Sequence, residues 1–176
     1  RQMLYTGFLH DGPAAVRYPR GEGPGVPVNS TMTALPLGRA EIRREGHGLA
    51  LLAFGTMLAP ALEVAEVLDA TVVNMRFVRP LDEDLLLDLA GSHALLVTVE
   101  ENVVAGGAGS GIAEALAARG SHTPVVHYGL PDRLIQHGTR EEMLVDAGLT
   151  SEGILAFVRG LGRHEHRAVP KTARAS

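Results

Sequence analysis

Residues 94–120, ALLVTVEENVVAGGAGSGIAEALAARG, constrain the fold of this chain more than any other stretch. Residues 94–99 are apolar almost throughout, which is how a parallel strand buried on both faces reads. Glu100, Glu101 and Asn102 interrupt the run, and Gly106, Gly107, Gly109 and Gly111 follow as a flexible turn. Beyond the turn, Ile112, Ala115, Leu116 and Ala118 recur at helical spacing, with Gly120 where a C-terminal cap belongs. Strand, glycine loop and helix make half of a βαβ unit, so the chain is read as α/β. Such a turn invites a phosphate at the helix N-terminus. The spacing argues otherwise: Gly107-Ala108-Gly109 is followed by Ile112 where GxGxxG has its third glycine, and no GK[ST] follows. Packing is the expected role of these glycines, and replacing Gly109 or Gly111 by alanine is expected to destabilise. A stand-alone module holding a nucleotide at residues 106–111 remains the alternative.

The totals narrow the partners. A length of 176 residues leaves room for one full domain and a piece of another. The hydrophobic fraction is 45 % with only 4 % aromatic, so the core must be built from Leu, Val, Ala and Ile. A net charge of −4 gives no electrostatic case for nucleic acid. The absence of cysteine excludes disulfides, thiolate catalysis and zinc–thiolate sites. No apolar run approaches the roughly 20 residues of a membrane span, and no signal peptide is visible, so a soluble cytoplasmic protein is expected. The opening Arg1-Gln2-Met3-Leu4 has neither an initiator methionine nor a helix cap, and reads as the interior of something longer.

Taken in order, residues 1–10 read as the tail of a helix, and Asp11-Gly12-Pro13 as a turn. Ala14-Ala15-Val16 reads as a short strand stopped by Pro19, which leaves Arg17, Tyr18 and Arg20 projecting near a strand end. Ligands sit at strand carboxyl ends in open α/β sheets, although a solvated basic turn is the plainer reading of these residues. Residues 21–37, with three glycines and three prolines, read as an extended, semi-stiff linker.

Residues 38–44 and 49–54 read as strands joined by Glu45-Gly46-His47-Gly48, and so short a connection predicts an antiparallel hairpin. The sheet is thus expected to be mixed, parallel except for its first strand. Gly55-Thr56 is the expected cap of a helix buried along Leu58, Ala61, Leu62, Ala65 and Leu68. A strand at 71–75 and a helix over 83–90 capped by Asp82 follow, with Arg76 and Arg79 as loop cations pairing with nearby acids. Glu100 and Glu101 do not read as a catalytic carboxylate pair, because neighbours on a strand point to opposite faces. The last strand is expected at 123–128, ended by Gly129-Leu130-Pro131-Asp132. Thr139 with Glu142 spells a capping box, Gly148 closes that helix, and Thr150 caps a final helix over 151–161. His137 is read as structural. His164 and His166 alternate as metal ligands do, but fall in a small, polar, basic tail that composition marks as mobile.

Four blocks of sequence carry a family resemblance. MLYTGF with DGPAAVRYPRG, then NMRFVRPLDEDLL, VTVEENVVAGGAGSGIAEAL and YGLPDRLIQHGTREEMLVDAGL occur in order across residues 1–161. Together they closely resemble the C-terminal portion of the 1-deoxy-D-xylulose-5-phosphate synthase family, transketolase-like enzymes dependent on thiamine diphosphate. The resemblance implies the end of a pyrimidine-binding domain over 1–21 and a three-layer αβα transketolase C-terminal-like domain over 38–161, while composition alone makes 22–37 a linker and 162–176 a flexible tail. It implies a transferase, of which this portion alone is inactive, that condenses pyruvate with D-glyceraldehyde 3-phosphate, loses carbon dioxide and feeds isoprenoid and thiamine biosynthesis. Thiamine diphosphate and Mg²⁺ are implied to be bound by parts of the enzyme outside this chain, whose diphosphate–magnesium motif and activating glutamate are missing here. Arg20 falls on the family's phosphate-binding arginine, with Tyr18 and Arg17 as supporting substrate-binding residues. No catalytic, cofactor-binding or metal-binding residue is implied in this chain. The implied partners are the N-terminal and pyrimidine-binding domains of the same enzyme and a second copy in a homodimer, with no nucleic acid and no membrane. A dimerisation part without a catalytic role is the other alternative.

Overall fold

The computed structural model describes residues 1–21, 25–28 and 30–164. A helix α1 (Gln2–Leu9) stands first, and the strand β1 (Glu41–Arg44) opens the sheet domain. There follow β2 (Leu49–Ala53), a 3₁₀ turn at Gly55–Met57, α2 (Leu58–Leu68) and β3 (Thr71–Asn74). Then come α3 (Glu83–Ser92), β4 (Leu95–Val103), α4 (Ala108–Ala118), β5 (Val125–Leu130), α5 (Arg140–Asp146) and α6 (Ser151–His164). The five strands form one sheet in the order β1-β3-β2-β4-β5, parallel except for β1, which runs antiparallel to β3.

The apolar runs predicted as central strands are central. Ala50, Leu51, Leu52, Ala53, Leu96, Val97 and Val99 are all fully buried, as both faces of β2 and β4 are covered. On one face Leu51, Val72 and Val97 pack with Ala61, Val64 and Ala65 of α2 and Ile154 of α6. On the other, Leu52, Val73 and Leu96 pack with Leu86 and Leu89 of α3 and Ile112 and Leu116 of α4. Burial of each such large aliphatic side chain stabilises by about 1.5–3 kcal/mol, so this two-sided core dominates the fold. The three layers are the αβα sandwich expected from the sequence.

Several local expectations are corrected. The strands β1 and β2 do not form a hairpin, because β3 lies between them and pairs with both. Gly46 makes this possible: its amide donates to Thr71 Oγ1, and a Cβ there would run into the backbone of Asp69 and Ala70. The connection therefore passes close against the start of β3 instead of folding β1 directly onto β2. Thr56 does not cap α2, since the residue before that helix is Met57 and the Thr56 hydroxyl points to Glu101 instead. Residues 14–16 join no strand ladder among the described residues. They lie against α1, where Ala14 and Val16 face Gly7. The last strand begins and ends two residues later than predicted, because β4 bulges and Val103 pairs with Leu130. The final helix runs to His164, three residues into the predicted tail, and His166 lies outside the described residues.

Other expectations stand. Asp82 caps α3 by accepting the Leu85 amide, and its carboxylate also takes the Ala40 amide and the Arg39 guanidinium. The Thr139–Glu142 capping box is complete, and Thr150 Oγ1 accepts the Gly153 amide at the start of α6. Arg76 pairs with Glu41 at 2.6 Å, whereas Arg79, expected to pair with an acid as well, makes no ion pair among the described residues.

Candidate functional site

Strand order locates the crevice of an open α/β sheet. Leaving β2 the chain turns through α2 to β3 on one side, and leaving β4 it turns through α4 to β5 on the other. The carboxyl ends of β2 and β4 are thus the topological switch point, where such sheets take their ligands. In this chain the switch point is filled by two consecutive acids of β4.

Glu100 points to the α4 side and is 2 % exposed. Its carboxylate accepts the amide of Ala108 at 2.7 Å and that of Gly109 at 2.9 Å. These are the first amides of α4, the donors that a phosphate would use at a helix N-terminus. The glycines allow the approach. A Cβ on Gly107 would collide with the Val103 carbonyl and sit 2.6 Å from Glu100 Oε2, and one on Gly109 would collide with the Thr98 hydroxyl and lie 2.6 Å from His127 Nδ1. Gly106 adopts φ +72°, the left-handed turn into the helix. Gly111 departs from the expectation: its nearest neighbour to a Cβ is Leu81 Cδ1 at 3.8 Å, so alanine fits there.

Glu101 faces the other way, as strand alternation requires. One of its carboxylate oxygens, Oε2, accepts Thr56 Oγ1 at 2.6 Å and Arg140 Nη2 at 2.6 Å, and Arg140 Nη2 also reaches Thr56 Oγ1 at 3.1 Å. The carbonyl of Glu101 accepts Arg17 Nη2 at 2.9 Å, across 84 residues of sequence. Arg140 is the first residue of α5, held there by the capping box. Hydrogen bonds from the Thr139 amide and then its hydroxyl keep the Glu142 carboxyl below its ordinary range.

Of the predicted substrate-binding residues, Arg17 reaches this cluster, and Tyr18 and Arg20 make no hydrogen bond to it. Arg17 is tied to Glu101. Tyr18 is 73 % exposed, and Arg20 is exposed with no ion pair among the described residues. Thr33 and Leu35 are anchored to α1, where Leu35 donates its amide to Thr6 Oγ1 and Gln2 reaches Thr33. The α1 side carries an apolar cleft lined by Leu4, Tyr5, Phe8, Val16 and Tyr18. His137 is exposed ahead of α5. The sequence missed Thr56 and Arg140, whose meeting with Glu101 depends on distant elements converging. An arginine at the first position of a capping-box helix, where a cation opposes the helix dipole, was the one available signal.

Neither thiamine diphosphate nor a divalent cation fits the residues present. The cradle of the right shape already holds a carboxylate, whose charge repels a diphosphate, and no group of three or more potential ligands for a metal occurs among the described residues. No helix among the described residues is long and apolar enough to cross a membrane.

Residues 38–154 match the family described as transketolase, C-terminal domain. A protein of Nitrosococcus oceani named 1-deoxy-D-xylulose-5-phosphate synthase is 64 % identical over 159 residues, 90 % of this chain and 25 % of that protein. A Methylobacillus flagellatus protein of the same name is 60 % identical over 158 residues, 90 % of this chain and 26 % of that protein. The chain thus spans about a quarter of the length of these curated relatives. A solved structure described as "Split gene transketolase, inactive beta4 tetramer" aligns with TM-score 0.68 and 34 % identity over 77 % of this chain and 46 % of that one. A transketolase from Campylobacter jejuni, at TM-score 0.50 and 20 % identity over 70 % of this chain and 18 % of that one, shares the fold.

Proposed function

This chain belongs to the transketolase C-terminal domain family, and on that premise we propose that it is the C-terminal portion of a thiamine-diphosphate-dependent synthase. The synthase joins pyruvate to D-glyceraldehyde 3-phosphate with loss of carbon dioxide and forms 1-deoxy-D-xylulose 5-phosphate, a precursor for isoprenoids and thiamine. The observation that carries this reading is identity of 64 % over 90 % of the chain to a relative named for that activity. Thiamine diphosphate and Mg²⁺ are held by other parts of the enzyme, which suits a chain whose own helix N-terminus is closed by Glu100. The cytoplasm is the compartment, and the working unit is a homodimer of the full-length protein. A 34 % identical structure described as an inactive beta4 tetramer supports a portion that has no activity alone.

Within this chain Arg20 takes the acceptor's phosphate, with Arg17 and Tyr18 supporting it. Arg20 follows Pro19 directly, is exposed, and presents a guanidinium that matches a phosphate with two parallel hydrogen bonds. The test is Arg20→Ala in the full-length enzyme. Loss of a charge-assisted contact is expected to raise the KM for glyceraldehyde 3-phosphate about ten- to a hundredfold. The KM for pyruvate stays near wild type, and unphosphorylated glyceraldehyde is indifferent to the change. Equal damage to both acceptors would refute the phosphate role.

A further inference from the structure

We infer that Glu101, braced by Thr56 and Arg140, is a positioning residue through which the sheet domain sets the placement of the acceptor-binding segment. The inference rests on the phosphate role given to Arg20 above. Its own support is the contact between Arg17 and the Glu101 carbonyl at 2.9 Å, which ties residues 17–20 to the carboxyl end of β4. Arg17 and Arg20 are separated only by Tyr18 and Pro19, and proline holds its φ near one value. Anchoring Arg17 therefore restricts where Arg20 can present its guanidinium.

The brace on Glu101 is costly for a purely structural cluster. Arg140 stands at the N-terminal end of α5, where a cation is disfavoured, and its Nε is buried with no hydrogen-bond partner among the described residues. In return, Glu101 Oε2 receives both Arg140 and Thr56 at 2.6 Å, which ties the turn after β2 and the start of α5 to the residue whose main-chain carbonyl receives Arg17. The three come from separate places, the turn after β2, the end of β4 and the start of α5, so the fold aligns them at the switch point. Arg17 acts on the acceptor through Arg20, by position.

Steady-state kinetics on the full-length enzyme test this with a double-mutant cycle. Arg17→Ala is expected to raise the KM for the phosphorylated acceptor about tenfold, the loss of one charge-assisted hydrogen bond, with pyruvate KM and the melting temperature unchanged. Arg17→Lys is expected to recover part of the loss, because one N–H suffices for a carbonyl. On an Arg20→Ala background, Arg17→Ala is expected to add nothing, since its effect runs through Arg20. Arg140→Ala and, independently, Thr56→Val are expected to move acceptor KM in the same direction by a smaller factor. Additive effects of Arg17 and Arg20 would overturn the inference by putting Arg17 on the phosphate itself. So would a normal acceptor KM in Arg17→Ala beside a raised one in Arg20→Ala. If Arg20→Ala leaves acceptor KM unchanged, the phosphate reading fails first and the inference falls with it.

Discussion

The Glu100 carboxylate accepts the backbone amide of Gly109 at 2.9 Å, so the N-terminus of α4 is closed by an anion from the adjoining strand. A strand–glycine–helix turn that invites a phosphate is here sealed from within. The glycines serve to bring the strand end and the helix start together. This relationship carries the first expected outcome. Glu100→Ala leaves the Ala108 and Gly109 amides without their acceptor, at about 1–3 kcal/mol per buried group. Glu100→Gln retains one acceptor oxygen and should lose less. Urea denaturation of the two variants measures the order, and an unchanged midpoint for Glu100→Ala would show that the contact is unimportant.

Two glycines, nine and eleven residues beyond Glu100, should respond oppositely to the same substitution. Gly109→Ala drives a methyl into the Thr98 hydroxyl and to 2.6 Å from His127 Nδ1, and overpacking of this kind costs about 1–3 kcal/mol. Gly111→Ala meets nothing closer than Leu81 at 3.8 Å in a helix interior, where alanine gains about 0.5–1 kcal/mol over glycine. Thermal melts of both variants give the signs. A destabilised Gly111→Ala would mean that α4 packs more closely than the contacts indicate.

The third expected outcome concerns acid. A hydrogen bond with His47, and then one from Arg44, hold the Asp69 carboxyl below its ordinary range. A depressed folded-state value means that the unfolded chain binds the proton more tightly. The stabilisation is therefore fully present above the unfolded aspartate value of about 3.9, and is lost as pH falls through the lower folded value. Asp69 adopts φ 50°, which asparagine tolerates, so Asp69→Asn removes the charge without forcing the backbone. The variant should be less stable than the parent at neutral pH, with the difference shrinking below pH ~4. Denaturant midpoints across pH report it, and a difference independent of pH would exclude the linkage.

Much of the domain was legible because its signals are local. The unbroken apolar runs of β2 and β4, the Asp82 cap and the Thr139–Glu142 box each depend on neighbours in sequence, and each formed as expected. What was not legible depends on distance. The Glu45–Gly48 connection has the length of a hairpin, yet β3 slots between the strands because Gly46 allows close passage past Asp69 and Ala70. Thr56 looks like a cap, but a carboxylate 45 residues away claims its hydroxyl. Residues 14–16 have strand-like character and no neighbouring strand among the described residues with which to pair. In the candidate site, strand alternation foretold that Glu100 and Glu101 diverge, while the partners each one meets came only from the fold.

The central claim is that this chain is the portion of its enzyme that does not hold the cofactor, with the amides at the N-terminus of α4 occupied by Glu100. Isothermal titration of the polypeptide with thiamine diphosphate and Mg²⁺ tests it directly. The account predicts no saturable heat; saturable binding in the micromolar range would contradict it.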